Sequence, residues 1–461
     1  MVTLVGLETH IQLNTDTKAF CGCPTSEGKP NTNVCEICLG HPGSKPMFNK
    51  KVLDYALKLC IALGCKIENE VAFSRKTYFY PDMSKNYQIT QFEIPLGRNG
   101  SIKLKNGKVV EIERIHIEED PAALIHDGAI DESDKVLIDY NRSGVPLVEI
   151  VTTPCMNSPA EAREFLNELV RIVKYLNIFD EKTGAVKSDL NVNVEGHPRV
   201  EIKNVSSFKD AERAMNYELV RQKIALKQPG EKKIHTRAWT GRKTTMLRLK
   251  ENEADYGYII EPDLPIFSVS NDKINSIKKE VPELAHVRSA RYVEEHKIDV
   301  VDAEVLSMEL ELAELFEKIA KEIDPLLAAK WLRHELLRVL NYNKKSLKEI
   351  KLDEKHVLEI LRLVEGKDIS ETTGQKLMEK LIEEPFSPKE YVLREGLMLV
   401  SDSGEIRKIC ESVVSANLKA VEDYKSGSEK SFNFLVGQVM RIMRGKADPA
   451  IVNKVMKEVL E

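Results

Sequence analysis

The sequence has 461 residues, of which 42% are hydrophobic and 31% charged, enough material for about three globular domains with cores of their own. The net charge of −5 argues against a protein that simply coats nucleic acid, but it leaves room for RNA binding through a local basic patch. No apolar run approaches the roughly 18 residues of a membrane span, and no charged leader precedes a short apolar core. We therefore expect no membrane association and a cytoplasmic location.

The first predicted strand, residues 4–13, carries two ionisable residues, Glu8 and His10. Residues two apart on a strand point to the same side, so both side chains should share one face. Carboxylates and imidazoles bind hard divalent cations, and this pair therefore suits Mg²⁺ or Mn²⁺.

Four of the eight cysteines lie close together in the next segment as a C-x-C and a C-x-x-C pair: Cys21, Cys23, Cys35 and Cys38. Residues 21–46 are rich in Gly, Pro, Asn and Thr and lack apolar periodicity, so something other than a core must order them. A Zn²⁺ ion bound by four thiolates would do so, and because such a site has no open position the metal would be structural. Four free thiols are one alternative. An iron–sulfur cluster is less favoured because nothing nearby indicates electron transfer.

Residues 74–88 interleave cations with aromatic residues and include Lys76, Tyr78 and Tyr80. Aromatic faces stack on bases and lysine or arginine binds phosphates, so the mixture suits a nucleotide or an RNA end. The alternative is a surface strand whose lysines lay their aliphatic stems on apolar neighbours. The sequence contains no phosphate loop, G-x-S-x-G or protein-kinase motif. ATP chemistry would therefore depend on carboxylates that hold Mg²⁺ and basic residues that hold the phosphates.

An alternating run at residues 109–115 predicts a half-buried strand that ends in the sequence His-Ile-Glu-Glu-Asp. We expect Glu111 and Glu113 on one face, with His116, Glu118 and Asp120 continuing it. Adjacent carboxylates repel one another unless solvent, a cation or a basic partner compensates them. An isolated run of this kind is usually only solvated, but the acid–histidine pair of the first strand favours a shared cation site.

A further polar set lies in strand-like sequence: Asp189, Asn191, Glu201, Lys203 and Asn204. Taken alone, each polar set has the alternative of a satisfied surface network. Together they are many polar groups for one domain, which favours a functional site.

The order of elements predicts an α+β fold. Strand-like runs, a helix opened by the capping box at Ser158 with Pro159 at the first helical position, and further strands indicate a mixed, largely antiparallel sheet. Lysine-, glutamate- and leucine-rich helices follow. We predict a cradle domain at residues 1–268 with a zinc knuckle at 21–38, an all-helical domain at 269–385, and a small helical tail domain at 386–461.

Taken together, these segments closely resemble the B-type subunit of the tRNA-dependent glutamyl/aspartyl amidotransferases. The resemblance covers nearly the whole chain in order. It is carried by residues 6–13, 21–23, 31–40, 75–82, 116–120, 139–149, 201–204, 261–265, 434–440 and 445–449.

The resemblance implies a carbon–nitrogen ligase with glutamine as amido donor, requiring ATP and Mg²⁺ and carrying a structural Zn²⁺. Such an enzyme phosphorylates the side-chain carboxylate of mischarged Glu-tRNA(Gln) or Asp-tRNA(Asn), and ammonia then displaces the phosphate. It also implies a heterotrimer, in which an amidase-type glutaminase subunit supplies the ammonia and a small third subunit holds the other two together. The tail domain would contact the tRNA body.

The resemblance also implies residue roles, carried over by position. The implied Mg²⁺ ligands are Glu8, His10, Glu119 and Glu201. The implied catalytic set adds Glu118, as a nearby helper, and Lys203. Asp189, Asn191 and Asn204 would line the same pocket, and Lys76, Tyr78 and Tyr80 would contact the nucleotide or the tRNA acceptor end.

The departure closest to the predicted site and two rival interpretations bear on the resemblance. Ala122 and Ala123 stand where the family commonly has a small residue and then a basic one, so another group must replace that cation if it binds phosphate. A related archaeal subunit specific for Glu-tRNA(Gln) carries a large inserted domain, for which 461 residues leave no room. A non-catalytic, zinc-stabilised tRNA-binding module is the other rival, but it predicts a basic pocket where this sequence concentrates carboxylates.

Overall fold

The computed structural model describes residues 1–126, 135–182, 184–205, 207–228, 234–249, 256–350, 352–399, 403–443 and 447–460. These residues divide into two units, Met1–Leu284 and Ala285–Glu461. The first is built on a sheet and the second is helical, which confirms the predicted α+β class with its helical C-terminal part. No described helix combines the length and apolar character that crossing a membrane would require.

The first unit contains strands and a few helices. Its strands are β1 (Thr3–Gln12), β2 (Lys66–Ile67), β3 (Glu70–Val71), β4 (Ser74–Thr77), β5 (Tyr87–Thr90), β6 (Gly97–Lys103), β7 (Val109–Glu119), β8 (Ala123–His126), β9 (Val136–Asp139), β10 (Pro146–Thr152), β11 (Val186–Val194), β12 (Val200–Lys203), β13 (His235–Trp239), β14 (Thr244–Leu249), β15 (Ile259–Ile260) and β16 (Phe267–Ser268). Its helices are α1 (Glu36–Leu39), α2 (Lys50–Ala62), α3 (Pro159–Tyr175), α4 (Phe208–Leu226) and α5 (Asn271–Glu280).

A nine-stranded sheet organises this unit, in the order β14-β13-β12-β11-β1-β10-β7-β6-β2. Neighbouring strands run antiparallel except for β12 and β13, which are parallel. The strands β15, β4 and β5 form a smaller sheet, and β5 also contacts β7. The two strands that carry most of the predicted ligands, β1 and β7, thus flank β10 near the middle of the large sheet.

Helices cover one face of the large sheet and leave the other for polar residues. Helix α3 begins as its capping box predicts, because the Glu161 amide donates to Ser158 Oγ at 3.2 Å with Pro159 in the first turn. Its buried Phe165 and Leu169 join a core made with α2, α4 and the strands. Apolar residues alternate with polar ones along the strands, so burying one face directs the polar side chains to the other.

A bulge in β7 sets which of its residues face the core. Val151 pairs with Arg114 but Thr152 pairs with Ile112, so Glu113 is an extra residue in β7. Consequently, the core-facing positions change from even to odd numbers between Ile112 and Ile115. The expectation that His116 and Glu118 continue the outer face of the strand is therefore met, but a regular strand would have sent them to the core.

The second unit has two hydrophobic cores, one formed by residues between 292 and 397 and one by residues between 406 and 460. Its helices are α6 (Ala285–His296), α7 (Val300–Leu306), α8 (Leu310–Ile319), α9 (Pro325–Trp331), a π-helical turn (Leu332–Leu336), α10 (Leu337–Tyr342), a 3₁₀ turn (Leu347–Glu349), α11 (Glu354–Glu365), α12 (Glu371–Glu383), α13 (Pro388–Arg394), α14 (Ser403–Ala416), α15 (Leu418–Lys425), α16 (Glu429–Ile442) and α17 (Pro449–Leu460). Ile277 of α5 belongs to the core of the first unit. The division at residues 268 and 385 stays a prediction.

Candidate active site and cysteine cluster

Strand register brings polar residues from four strands onto the open face of the large sheet. His10 on β1 pairs with Glu149 on β10, which in turn pairs with His116 on β7. On the other side of β1, Glu8 pairs with Asp189 on β11. Paired residues of adjacent strands point to the same face, so these side chains form a continuous polar row.

The first group of this row consists of His10, Glu118 and Glu149, with His116 beside it. His10 Nε2 lies 3.2 Å from Glu118 Oε1 and 3.5 Å from Glu149 Oε2, while His116 Nε2 lies 2.9 Å from Glu149 Oε2. Burial by itself lowers the pKa of His10, but attraction by Glu149 and Glu118 outweighs it and raises this pKa well above the usual value. Burial likewise opposes ionisation of Glu149, yet His116 and His10 hold its pKa well below the usual range. The raised pKa of His10 favours its imidazolium form, which balances part of the negative charge of Glu118 and Glu149.

The second group consists of Glu8, Asp189 and Glu201. Lys203 is paired with Asp189, and its Nζ lies 3.4 Å from Glu201 Oε1. Burial alone would lower the pKa of Lys203, but the two carboxylates raise it above its ordinary value, so the lysine stays charged.

Asn191 connects to the second group through its side-chain amide. Its Nδ2 donates to Glu8 Oε1 at 2.9 Å, while its buried Oδ1 accepts no hydrogen bond from the residues that the structure describes. Thr236 Oγ1 donates to Glu201 Oε2 at 2.8 Å, which fixes that carboxylate. A buried amide oxygen without a donor is costly, and a cation is one partner that would satisfy it.

Both groups have spacings that suit a hard divalent cation. Within each group, one ligand atom per residue lies within 4.8 Å of the others. Octahedral Mg²⁺ with ligands at about 2.1 Å requires ligand atoms about 3.0–4.2 Å apart, so small side-chain movements would close either set around one ion. In the first group, His10 would also have to release the proton that its raised pKa favours. The donor types, carboxylate oxygens in both groups and one imidazole in the first, also match Mg²⁺ or Mn²⁺.

Glu119, which the resemblance implies as a Mg²⁺ ligand, lies in neither group. It points to the opposite side of β7 from Glu118, where it pairs with Lys85 and accepts a hydrogen bond from the Ile89 amide at 2.9 Å. Gln88 Nε2 donates to its backbone carbonyl at 2.6 Å. The structure thus brings together Glu8 and Glu201, places His10 with Glu118, and ties Glu119 to the small sheet.

The predicted nucleotide-contacting residues lie on and after β4. Lys76 Nζ is 4.8 Å from the centre of the Tyr256 ring, and the Tyr78 ring meets Tyr256 edge-on at 6.3 Å. Burial and the nearby carboxylates of Asp82 and Glu118 raise the pKa of Tyr78 above its usual value, so its hydroxyl stays protonated as a donor. Tyr80 is 56% exposed and is therefore accessible to a partner molecule.

Two further predicted positions lie at strand ends. Asn204 is exposed after β12 with a left-handed φ of 62°, a conformation that asparagine tolerates better than most residues. Ala123 opens β8, and Ala122 is buried.

A guanidinium lies beside the two alanines. Arg142 donates to the carbonyl of Pro121 at 2.9 Å and of Ala122 at 2.5 Å, and its Nε lies 3.6 Å from Asp120 Oδ2. It also lines a cavity of about 510 Å³, together with Lys187, Asp139 and Gln12. The structure thereby places the Arg142 guanidinium next to Ala122 and Ala123, where the resemblance leads us to expect a basic residue.

The four clustered cysteines converge as their spacing predicts. One Sγ from each of Cys21, Cys23, Cys35 and Cys38 lies within 4.8 Å of the others. A tetrahedral Zn²⁺ with Zn–S bonds of about 2.3 Å requires sulfurs about 3.8 Å apart, and Cys35 Sγ and Cys38 Sγ are 3.9 Å apart. A hydrogen bond from Cys21 and the charge of Lys18 lower the pKa of Cys38 against the opposing effect of burial, whereas the same hydrogen bond and burial raise the pKa of Cys21, so Cys38 is the readier thiolate of this pair. The residues therefore fit a zinc ion.

Two family models match the chain. The GatB/GatE catalytic domain matches residues 3–275, and the GatB domain matches residues 314–460. The chain belongs to the GatB family. Each match falls largely within one of the two units, so the sheet unit of this GatB-family chain corresponds to the catalytic domain of the family description.

Curated relatives match over their full lengths. A Methanosphaera stadtmanae protein is 43% identical over 464 residues, which cover 99% of both chains. A Carboxydothermus hydrogenoformans protein is 40% identical over 99% of this chain and 98% of its own, and one from Methanothermobacter thermautotrophicus is 42% identical over 98% and 99%. Each is named as the B-type subunit of an aspartyl/glutamyl-tRNA(Asn/Gln) amidotransferase.

The sequence predicted no role for two members of the site in this GatB-family chain, Glu149 and Thr236, although residues 139–149 carry part of the resemblance. Glu149 lies in the otherwise largely apolar strand β10, and a single carboxylate in such a strand is a signal that a cation or a hydrogen-bond donor compensates its charge. Its position opposite His10 depends on strand pairing across more than a hundred residues, which sequence periodicity does not reveal.

Proposed function

We propose that this chain is the kinase subunit of a tRNA-dependent amidotransferase. It would use ATP to phosphorylate the side-chain carboxylate of Glu-tRNA(Gln) or Asp-tRNA(Asn), and ammonia would then displace the phosphate to form the amide. The observation that carries the proposal is the row of two carboxylate groups on the open face of the catalytic-domain sheet, in a chain whose full-length relatives are named as B-type amidotransferase subunits.

The chemistry explains why carboxylates should line such a site. A carboxylate is a poor acylating agent, and phosphorylation supplies a leaving group, but ATP and the substrate are both anionic. Phosphoryl transfer depends mainly on positioning and on charge neutralisation. Bound Mg²⁺ would supply that neutralisation, held by His10, Glu118 and Glu149 in one group and by Glu8, Asp189 and Glu201 in the other.

The remaining residues of the face would hold and orient these ligands. His116 donates toward Glu149, and Thr236 orients Glu201, so each carboxylate keeps one oxygen engaged by the protein. Lys203, already charged and close to Asp189, would turn toward a phosphate oxygen once a cation replaced it. Glu119 would act indirectly, by fixing β5 against β7.

Nucleotide and tRNA contacts would come from the cationic and aromatic rim. Lys76, Tyr78 and Tyr80 offer a cation, a hydroxyl donor and an exposed ring. Arg142 and Lys187 would serve the phosphates that the missing basic residue at Ala123 leaves unbound. The four cysteines would hold a structural Zn²⁺.

The family relationship supports a multi-subunit enzyme. The relatives are named as one subunit of an amidotransferase, so we propose that an amidase-type glutaminase subunit supplies ammonia from glutamine and that a small third subunit would complete a heterotrimer. The acyl phosphate hydrolyses readily, and delivery of ammonia inside the complex would shield it from water. The rival interpretation as a non-catalytic tRNA-binding module accounts less well for the carboxylates, because without a cation they would repel RNA.

The test is amide formation by the reconstituted complex with each mischarged tRNA, with and without ATP. We expect product and inorganic phosphate only with ATP, and a loss of at least about 100-fold in rate for Glu118→Gln. Glu113→Gln is the matched control on the same strand, because that exposed carboxylate contacts only Arg114 among the pairs that the structure describes. Failure with both mischarged tRNAs would contradict the amidotransferase assignment. Unchanged amidation and ATP use by Glu118→Gln would contradict the kinase site.

A further inference from the structure

Lys18 is a fully buried lysine next to the cysteine cluster. Its exposed fraction is 0%, and its Nζ lies 3.6 Å from Cys38 Sγ and 3.3 Å from the Tyr140 carbonyl oxygen. Lysine is almost never fully buried unless it is paired. Of the two groups that its Nζ contacts among the described residues, the Cys38 sulfur is the one that can carry a negative charge, and it lies in the predicted metal site.

A zinc ion with four thiolates carries net negative charge, since four thiolates outnumber the two positive charges of the ion. Two of the four sulfurs, those of Cys21 and Cys38, belong to buried residues. Burying an anionic cluster is costly without a nearby cation or hydrogen-bond donors, and the Lys18 ammonium supplies both. Such outer groups orient metal ligands and tune their affinity.

The cysteine cluster also contacts the segment that holds Glu119. The Cys38 carbonyl accepts hydrogen bonds from Ser84 Oγ at 2.8 Å and Ser143 Oγ at 3.3 Å. Next to it, Gly40 has a left-handed φ of 71°, and a Cβ there would lie 2.5 Å from Lys85 Cγ, so the knuckle packs directly on that lysine. Lys85 pairs with Glu119, the neighbour of Glu118.

We propose that Lys18 is a positioning residue that supplies the buried counter-charge of the zinc-thiolate cluster and, through it, holds the 84–89 segment against Glu119. This role rests on the proposed structural zinc but not on the kinase assignment. Loss of the lysine weakens zinc binding, and loss of zinc loosens Lys85 and the Ile89 amide that donates to Glu119.

The experiment compares the full-length wild type with Lys18→Met and Lys18→Arg. Zinc affinity is measured by competition with a chromophoric chelator, and the thiolate-to-metal absorption is measured after loading with Co²⁺. Because an outer-shell partner is removed, we expect Lys18→Met to bind zinc about 10- to 100-fold more weakly and to shift the Co²⁺ absorption, with recovery in Lys18→Arg. Lys29→Met is the control, since that lysine is exposed in the same loop.

Hydrogen exchange at the Ile89 amide reports the connection to the site. We expect the exchange of this amide in the wild type to become faster when a chelator removes zinc. At zinc concentrations that saturate the wild type, we expect the amide of Lys18→Met to exchange faster than that of the wild type. Zinc affinity and Co²⁺ absorption within twofold of the wild type in Lys18→Met would overturn the role of the lysine. If Lys18→Met cannot be purified, Lys18→Gln takes its place, because it keeps an N–H donor but removes the charge. We expect this variant to bind zinc more weakly than the wild type, and equal zinc affinity would overturn the role of the lysine. A wild type that binds no zinc would overturn the knuckle itself, whatever the outcome of the amidation assay.

Discussion

Adjacent glutamates on β7 give the sharpest test of the site, because the structure assigns them opposite surroundings. Glu118 lies 3.2 Å from His10 in the first carboxylate group, whereas Glu119 pairs with Lys85 on the other side of the strand. Substituting each with glutamine keeps its size and removes its charge. We expect Glu118→Gln to lose cation binding at this group and Glu119→Gln to keep it.

The magnitude follows from the charge and burial of Glu118. Its side chain is 4% exposed, so solvent screens it little. At about 4 Å and an effective dielectric constant of about 20, one pair of unit charges contributes about 4 kcal/mol, and a divalent ion about twice that. Two effects offset about half of this loss in binding free energy. The glutamine keeps an oxygen that can bind the ion, and cation binding no longer requires a charged carboxylate to lose its water. We therefore expect Mn²⁺ binding at this group to weaken by about 3–4 kcal/mol, which is about 100- to 1,000-fold, while the group of Glu8, Asp189 and Glu201 keeps its affinity.

Glu119→Gln should change stability rather than cation affinity. Removing one partner of a buried ion pair costs about 3–5 kcal/mol, reduced here because the glutamine still accepts from the Ile89 amide. We expect the free energy of unfolding to fall by about 2–3 kcal/mol, with Mn²⁺ affinity within about threefold of the wild type.

The assay titrates the full-length chain with Mn²⁺ and measures the free ion by electron paramagnetic resonance, alongside urea unfolding of each variant. Circular dichroism verifies that both variants remain folded. Weak Mn²⁺ binding in Glu119→Gln together with unchanged binding in Glu118→Gln would refute this strand geometry. It would support instead the ligand set expected from the sequence resemblance.

Three further outcomes follow from other contacts. Glu261 is fully buried and receives two hydrogen bonds from Arg75, at 2.7 and 2.8 Å. Glu261→Gln should therefore lower the free energy of unfolding, measured in urea, by about 2–4 kcal/mol, and a loss below about 1 kcal/mol would contradict the importance of this pair. Lys203→Met leaves the negative charge of Asp189 and its neighbouring carboxylates uncompensated, so the melting temperature measured in chelator should fall. Added Mg²⁺ should then raise the melting temperature of this variant more than that of the wild type, and equal increases would count against a cation site there. Elemental analysis should find about one zinc per wild-type chain and much less in Cys35→Ser; full zinc and stability in that variant would refute the knuckle.

Local patterns determined much of this chain because they depend on residues close in sequence. The cysteine pairs converge as expected because a C-x-x-C pair and a short ordered loop leave few other arrangements. Helix α3 begins at its capping box because the serine side chain bonds an amide only three residues away. The α+β class followed from the same local alternation and helical periodicity.

Only the tertiary structure decided which carboxylates meet. The bulge at Glu113 turns His116 and Glu118 to the open face, and it is set by pairing with β10, not by the β7 sequence. The same pairing brings Glu149 to His10 and leaves Glu119 with Lys85. Strand register joins residues far apart in the chain, and a shift of one residue would reverse every side chain. The sequence therefore indicated which polar residues to consider for a cation site, and the register of the sheet decided which of them lie together.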